Sequence, residues 1–134
     1  MLYNRAELVA LIRQQPDELQ PLLTALAWFA SRGNPNSIEN GRIGLCSVPL
    51  ELAIANGVQI TESELLEPRN NIPIAAHLIQ RCGLLEFLGR ELAPQFHSIM
   101  QLATWLDSEA KREAQDVAKN ASAVADGETP ANRS

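Results

Sequence analysis

Apolar residues recur every three or four positions along most of this chain, and clusters of turn-forming residues separate the recurring stretches. This spacing places side chains on one face of an α-helix, whereas a half-buried strand needs strict alternation, which no segment convincingly shows. The clearest stripe consists of Leu19, Leu22, Leu23, Leu26 and Ala30. It ends at residues 32–36, Arg-Gly-Asn-Pro-Asn, which stop helices. The pattern predicts an all-α domain, with at most a small hairpin near residues 42–45.

Helix-start signals agree with this fold class. Asn4 followed by Glu7 predicts a capping box at the start of the first helix. Residues 16–18, Pro-Asp-Glu, predict the start of the second helix, because proline fits a first turn and acids favour the positive end of the helix dipole. Pro21 is an alternative start. Further on, Asn70 is expected to cap a helix that ends before Gly83.

The last third of the chain predicts one long helix that begins at Pro94. Its inward face is expected to hold Phe96, Ile99, Met100, Ala103 and Leu106. The same spacing continues more weakly, mostly through alanines, so residues 109–125 are expected to form a helical extension and 126–134 an unstructured tail. The extension is either a frayed helix or, over residues 103–124, a docking helix for a partner subunit or another copy.

Length and composition exclude several classes of protein. The chain has 134 residues, enough for one domain with a core of its own, and a net charge of −5 without a basic face for nucleic acid. No apolar run reaches the length that a bilayer needs. The first residues lack the order of a signal peptide, so we expect synthesis in the cytoplasm. Cys46 and Cys82 are expected to be reduced thiols, and no metal or cofactor is expected.

Two short blocks stand apart from the helix pattern. The first is Gly-Arg-Ile-Gly-Leu-Cys-Ser-Val-Pro at residues 41–49, and the second is Glu-Pro-Arg-Asn-Asn-Ile at residues 67–72. In letters, order and separation they resemble the soluble lytic transglycosylases, which cleave peptidoglycan glycan strands. That family reads Gly-x-x-Gly-Leu-x-x-x-Pro and then Asp-Pro-x-x-Asn-Ile. The resemblance covers residues 22–108, is strongest over 22–80, and implies a goose-lysozyme-like (lysozyme-like) helical domain over residues 1–108.

The resemblance also implies which residues line a glycan cleft. These candidates are Ser31, Gly41, Gly44, Leu45, Cys46, Ser47, Asn71 and Trp105. In the family, the asparagine that matches Asn71 ties the loop to the start of the following helix. Two positions depart from the family pattern, because Ser47 replaces a glutamine and Trp105 lies in a block that has lost its asparagine and glycine.

The catalytic glutamate of the family has no counterpart here. It would precede Ser31, where this chain has Ala30, or Phe29 if the count runs back from Gly44. Neither an alanine nor a phenylalanine side chain can transfer a proton, and glycoside cleavage generally needs a carboxyl with a raised pKa. Glu39 lies nearby as a substitute acid.

The resemblance without the acid implies a pseudoenzyme with a structural, assembly or peptidoglycan-binding role. Bacteriophage virions and envelope-spanning machines use transglycosylase modules, so a phage internal virion or ejection protein, or a component of such a machine, is the expected setting. The alternative is an active lytic transglycosylase or muramidase with a relocated acid at Glu39, Glu51 or Glu64. A third possibility is an unrelated helical interaction protein.

Overall fold

The computed structural model describes residues 2–127, with side chains as far as residue 119. In chain order its elements are α1 (Arg5–Ile12), α2 (Gln20–Ala30), β1 (Ile38–Glu39), β2 (Arg42–Ile43), β3 (Val48–Pro49), α3 (Leu50–Ala55), α4 (Glu62–Leu65), α5 (Pro68–Cys82), α6 (Leu84–Leu92), a 3-10 turn (Ala93–Gln95) and α7 (Phe96–Gly127). The prediction of a mostly helical chain with a long C-terminal helix is confirmed. A small sheet adds to it.

The sheet is antiparallel, with strand order β1-β2-β3. Ile43 of β2 pairs with Ile38 on one side and with Val48 on the other. The turn between β1 and β2 is Asn40-Gly41, with φ of 54° and 76°. Asn-Gly is strongly favoured in two-residue hairpin turns that need positive φ at both central positions, and this signal was overlooked in the sequence.

The start of α1 is as predicted, and the start of α2 is not. The Asn4 side chain accepts a hydrogen bond from the Glu7 N–H at 2.9 Å, and the Glu7 carboxylate accepts one from the Asn4 N–H at 2.8 Å. Helix α2 begins at Gln20, so Pro21 lies in the first turn and the start at residues 16–18 is wrong. Gln20 donates to the Gln15 carbonyl at 2.7 Å, which holds residues 16–19 in a turn ahead of the helix.

Helix α5 begins earlier than predicted. It starts at Pro68, whose missing N–H needs no partner in a first turn, and the expected cap Asn70 already lies within the helix. The Asn70 side chain instead donates to the Glu64 carbonyl at 2.9 Å. The helix ends at Cys82, and Gly83 follows with φ of 90°, as the sequence indicated.

The core lies where α5 contacts its neighbours. Helix α5 packs against α2, α3, α4, α6 and β3, and α1 packs on α2. The largest fully buried side chains are Phe87, Leu8, Ile12, Leu23, Leu26, Ile43, Leu45, Leu65, Leu78, Leu88, Ile99 and Val48. Each such side chain contributes about 1.5–3 kcal/mol relative to an exposed one. The core therefore includes Ile43 of β2, Val48 of β3 and Leu45 of the turn between them, whereas β1 is exposed.

The chain divides into two compact units, Met1–Ala103 and Thr104–Ser134. In the first unit, Ile99 and Ala103 of α7 are buried. In the second, α7 carries ion pairs between Asp107 and Lys111 at 2.9 Å and between Glu109 and Arg112 at 2.7 Å. Residues 128–134 of the predicted tail lie outside the described residues. No described helix, α7 included, is long and apolar enough to cross a membrane.

Candidate functional site

The turn at residues 44–47 follows β2 directly and needs glycine at its first position. Gly44 has φ of 80°, a region that side chains rarely adopt. A Cβ at this position would come within 2.8 Å of the Leu65 carbonyl oxygen and would also overlap the Asn71 amide. The turn is therefore packed directly against the end of α4 and the first turns of α5.

Asn71 holds this turn from the α5 side. Its side chain is fully buried. Its Nδ2 donates to the Ile43 carbonyl at 2.7 Å and to the Leu65 carbonyl at 2.8 Å, and its Oδ1 accepts from the Cys46 N–H at 2.7 Å. One amide thus satisfies three backbone groups from separate segments. The expected tie between the loop and the helix start is present.

Ser31 holds the same turn from the α2 side. Its hydroxyl lies 2.5 Å from the Leu45 carbonyl oxygen and 3.0 Å from the Ala27 carbonyl oxygen, so its single proton is shared between two acceptors. Ser47 closes the turn with φ of 54° and donates its N–H to the Gly44 carbonyl at 3.0 Å. The end of α2 and the start of α5 therefore converge on residues 44–47.

The structure thus brings most of the predicted cleft residues together, and it buries them. Leu45, Cys46 and Asn71 have no exposed surface, and Ser31 and Ser47 are 7% exposed. Their side chains support the turn from within and present little to a ligand in this conformation. Gly41 lies apart from them, exposed at the tip of the hairpin. Trp105, which is 53% exposed, belongs to the second unit.

The position that the resemblance matches to the family's catalytic glutamate is apolar. Ala30 is the last residue of α2, one position before the serine that bonds to the turn. Phe29 and Ala30 are both half-buried and pack against the core. The side chains at this helix end can exclude water, but they offer no proton to transfer.

The three carboxyl groups that could substitute for the missing acid are all exposed. Glu39 lies in β1, Glu51 in the first turn of α3 and Glu64 in α4. Hydrogen bonds from the Thr61 N–H and hydroxyl lower the pKa of Glu64, because they favour its charged form. A glycosidic general acid needs the opposite shift. Among the described residues, no group of three or more His, Cys, Asp or Glu could hold a metal ion.

The two cysteines are free and differ in burial. Desolvation raises the pKa of the fully buried Cys46 thiol to about 12, so it stays protonated and is a poor nucleophile. Cys82, at the end of α5, is only partly buried.

Arg42 is a buried residue beside the turn that sequence reasoning missed. Its side chain is 5% exposed and contacts α6, more than forty positions further along the chain. No local signal identifies it, because an arginine in a short hairpin normally points to solvent.

Comparisons with known proteins find no match to this chain among protein-family models, curated proteins or solved structures.

Proposed function

We propose that this chain is a non-catalytic protein built on a lytic-transglycosylase-like, lysozyme-like scaffold, with a role in structure or assembly at the peptidoglycan layer. The observation that supports the proposal best is the buried turn at residues 44–47. There Asn71 of the second block bonds to Ile43 and Cys46 of the first, and Ser31 at the end of α2 bonds to Leu45. Phe29 and Ala30, which lie at the end of α2 next to that turn, carry no carboxyl group.

The chemistry of the surrounding residues favours this function over catalysis. A positioned general acid contributes about 10² to 10⁴ in rate, and an apolar side chain contributes none of it. Glu39, Glu51 and Glu64 are exposed, so none of them lies in the apolar pocket in which a glycosidic general acid works. The resemblance suggests a bacteriophage virion or an envelope-spanning machine as the setting, because both use transglycosylase modules to cross peptidoglycan.

A turbidity assay on purified peptidoglycan tests the absence of catalysis. We expect no clearing by the purified chain above a buffer control. If clearing occurs, Glu39→Gln, Glu51→Gln and Glu64→Gln variants identify the acid, and loss of clearing in one of them would replace this proposal with an active enzyme.

The assembly role is proposed to depend on α7 beyond residue 103. Most described side chains there are exposed, and Val117 is 68% exposed. Helices without tertiary packing are marginal in water, so a partner subunit that covers this segment would stabilise it. We expect truncation after Ser108 to leave the first unit folded and to abolish co-assembly, whereas truncation after Gly127 should not. Unchanged assembly after the shorter truncation would contradict the docking role.

A further inference from the structure

Helix α6, which the sequence did not predict, is bent at Gly89. This residue has φ of 60° and ψ of −162°, backbone angles that are open essentially to glycine alone. Phe87 and Leu88 before the bend and Leu92 after it are all buried. The bend therefore lies between two packed segments of one short helix.

Arg42 of β2 contacts α6 on both sides of this bend. Its Nη2 donates to the Phe87 carbonyl at 2.5 Å, and its Nη1 lies 3.2 Å from the Glu91 Oε1. The guanidinium carbon also lies 5.5 Å from the centroid of the Phe87 ring, within the range of a cation–π contact. The Phe87 carbonyl therefore accepts a side-chain hydrogen bond from Arg42 two residues before the bend.

This contact buries the charge of Arg42, which costs free energy. Burial lowers the pKa of Arg42, and the nearby Glu91 carboxylate acts in the opposite direction. The Arg42 Nε is buried without a hydrogen-bond partner among the described residues. The Arg42 side chain is 5% exposed and the Glu91 side chain 41% exposed, so a buried guanidinium is paired with a carboxylate at the surface. Desolvation of the guanidinium offsets much of the attraction, so the pair is better suited to selecting one conformation than to adding stability.

We propose that Arg42 and Glu91 form a latch that selects the bent form of α6 over a continuous helix. Two observations make the continuous form accessible. Leu84, Leu88 and Leu92 are spaced four apart, as on one helix face, and a single glycine inside a helix is tolerated at modest cost. Releasing the latch lets α6 straighten, which displaces Arg90, Glu91 and the 3-10 turn that follows.

Hydrogen exchange of the amides in residues 84–95 tests the latch. We expect Arg42→Met and Glu91→Gln to change exchange in this segment at least tenfold while α1 and α2 keep their protection. Glu86→Gln, a charge removal at an exposed position of the same helix, is the matched control and should change nothing. Exchange that is unchanged in both latch variants, or raised equally throughout the chain, would overturn the proposal.

Gly89→Ala gives the sharper test, because its effect should reverse sign. In the native chain it forces a side chain onto φ of 60° and places a Cβ 3.0 Å from the Glu91 carboxylate, so protection of α6 should fall. With Arg42→Met, alanine favours the continuous helix, and the same change should raise protection at least threefold. If Arg42→Met does not fold, Arg42→Lys takes its place. Lysine has a single terminal nitrogen and loses the pair of guanidinium nitrogens that contact Phe87 and Glu91. A loss of protection from Gly89→Ala in both backgrounds would show that the bend is only structural.

Discussion

The hydrogen bond from Ser31 to the Leu45 carbonyl joins the end of α2 to the turn at residues 44–47. The side chains in these two regions have different roles. In the turn, the Asn71 amide is fully buried and bonded to three backbone groups. At the end of α2, Phe29 and Ala30 present only apolar surface. On the proposed function, the residues that hold the turn are therefore different from the residues at the position of the lost acid. A scaffold can keep the first set without the second.

The largest loss of stability is expected on substitution of Asn71. Asn71→Leu keeps the branching of the side chain at Cγ but leaves buried groups of Ile43, Leu65 and Cys46 without partners, at about 1–3 kcal/mol for each. We expect a loss of roughly 3–5 kcal/mol in the free energy of unfolding, measured in urea. Asn70→Ala, next to it but with only one bond at the surface, should lose under about 1 kcal/mol. Similar losses in both variants would contradict the special role of Asn71.

The second largest loss of stability is expected at Gly44, and Gly41 serves as its control. Both glycines have positive φ, but only Gly44 has neighbours within reach of an added Cβ. Gly41→Ala should therefore lose about 1 kcal/mol from backbone strain alone. Gly44→Ala adds a clash with buried backbone and should lose roughly 2–4 kcal/mol. Equal losses in thermal or urea unfolding would mean that the turn is not held tightly against α4 and α5.

These outcomes separate what the sequence could show from what it could not. The Asn4 cap and Gly83 act within a few positions of their own helix, so local signals predicted them, whereas Pro21 was only the alternative to the wrong start at residues 16–18. Helix α6 and the role of Arg42 were missed, because Arg42 contacts this helix from a strand more than forty positions earlier in the chain. The grouping of Ser31 with Asn71 was expected from the resemblance. Their burial was not expected, since the spacing of the blocks carries no information on accessibility.

The two cysteines are expected to differ in reactivity, and the buried one makes a smaller, pH-dependent contribution to stability. Burial raises the pKa of Cys46 to about 12, above the value of about 8.5 for a free thiol. The protonated thiol thus favours the folded state fully below about pH 8.5, and this contribution is lost as the pH rises towards the folded pKa. At pH 8 we expect an aromatic disulfide reagent to label Cys82 readily and Cys46 only after unfolding. Rapid labelling of both in the folded chain would mean that the turn opens.

The smallest change in stability is expected at the end of α2. Ala30 is half-buried at a helix end, so Ala30→Glu should alter the free energy of unfolding by about 1 kcal/mol or less. Circular dichroism and thermal unfolding check this expectation. A severe loss of stability would mean that the helix end is closed core rather than the site of a lost acid.

The central claim is that a cleft scaffold persists without its acid, and product analysis tests it most directly. Purified peptidoglycan is incubated with the native chain, with Ala30→Glu and with Phe29→Glu, and the soluble products are identified by mass spectrometry. We predict no anhydromuropeptides from the native chain. We predict a trace from one of the glutamate variants, because Ser47 replaces the family glutamine and small misplacements can lower rates about a hundredfold. Anhydromuropeptides from the native chain would contradict the account.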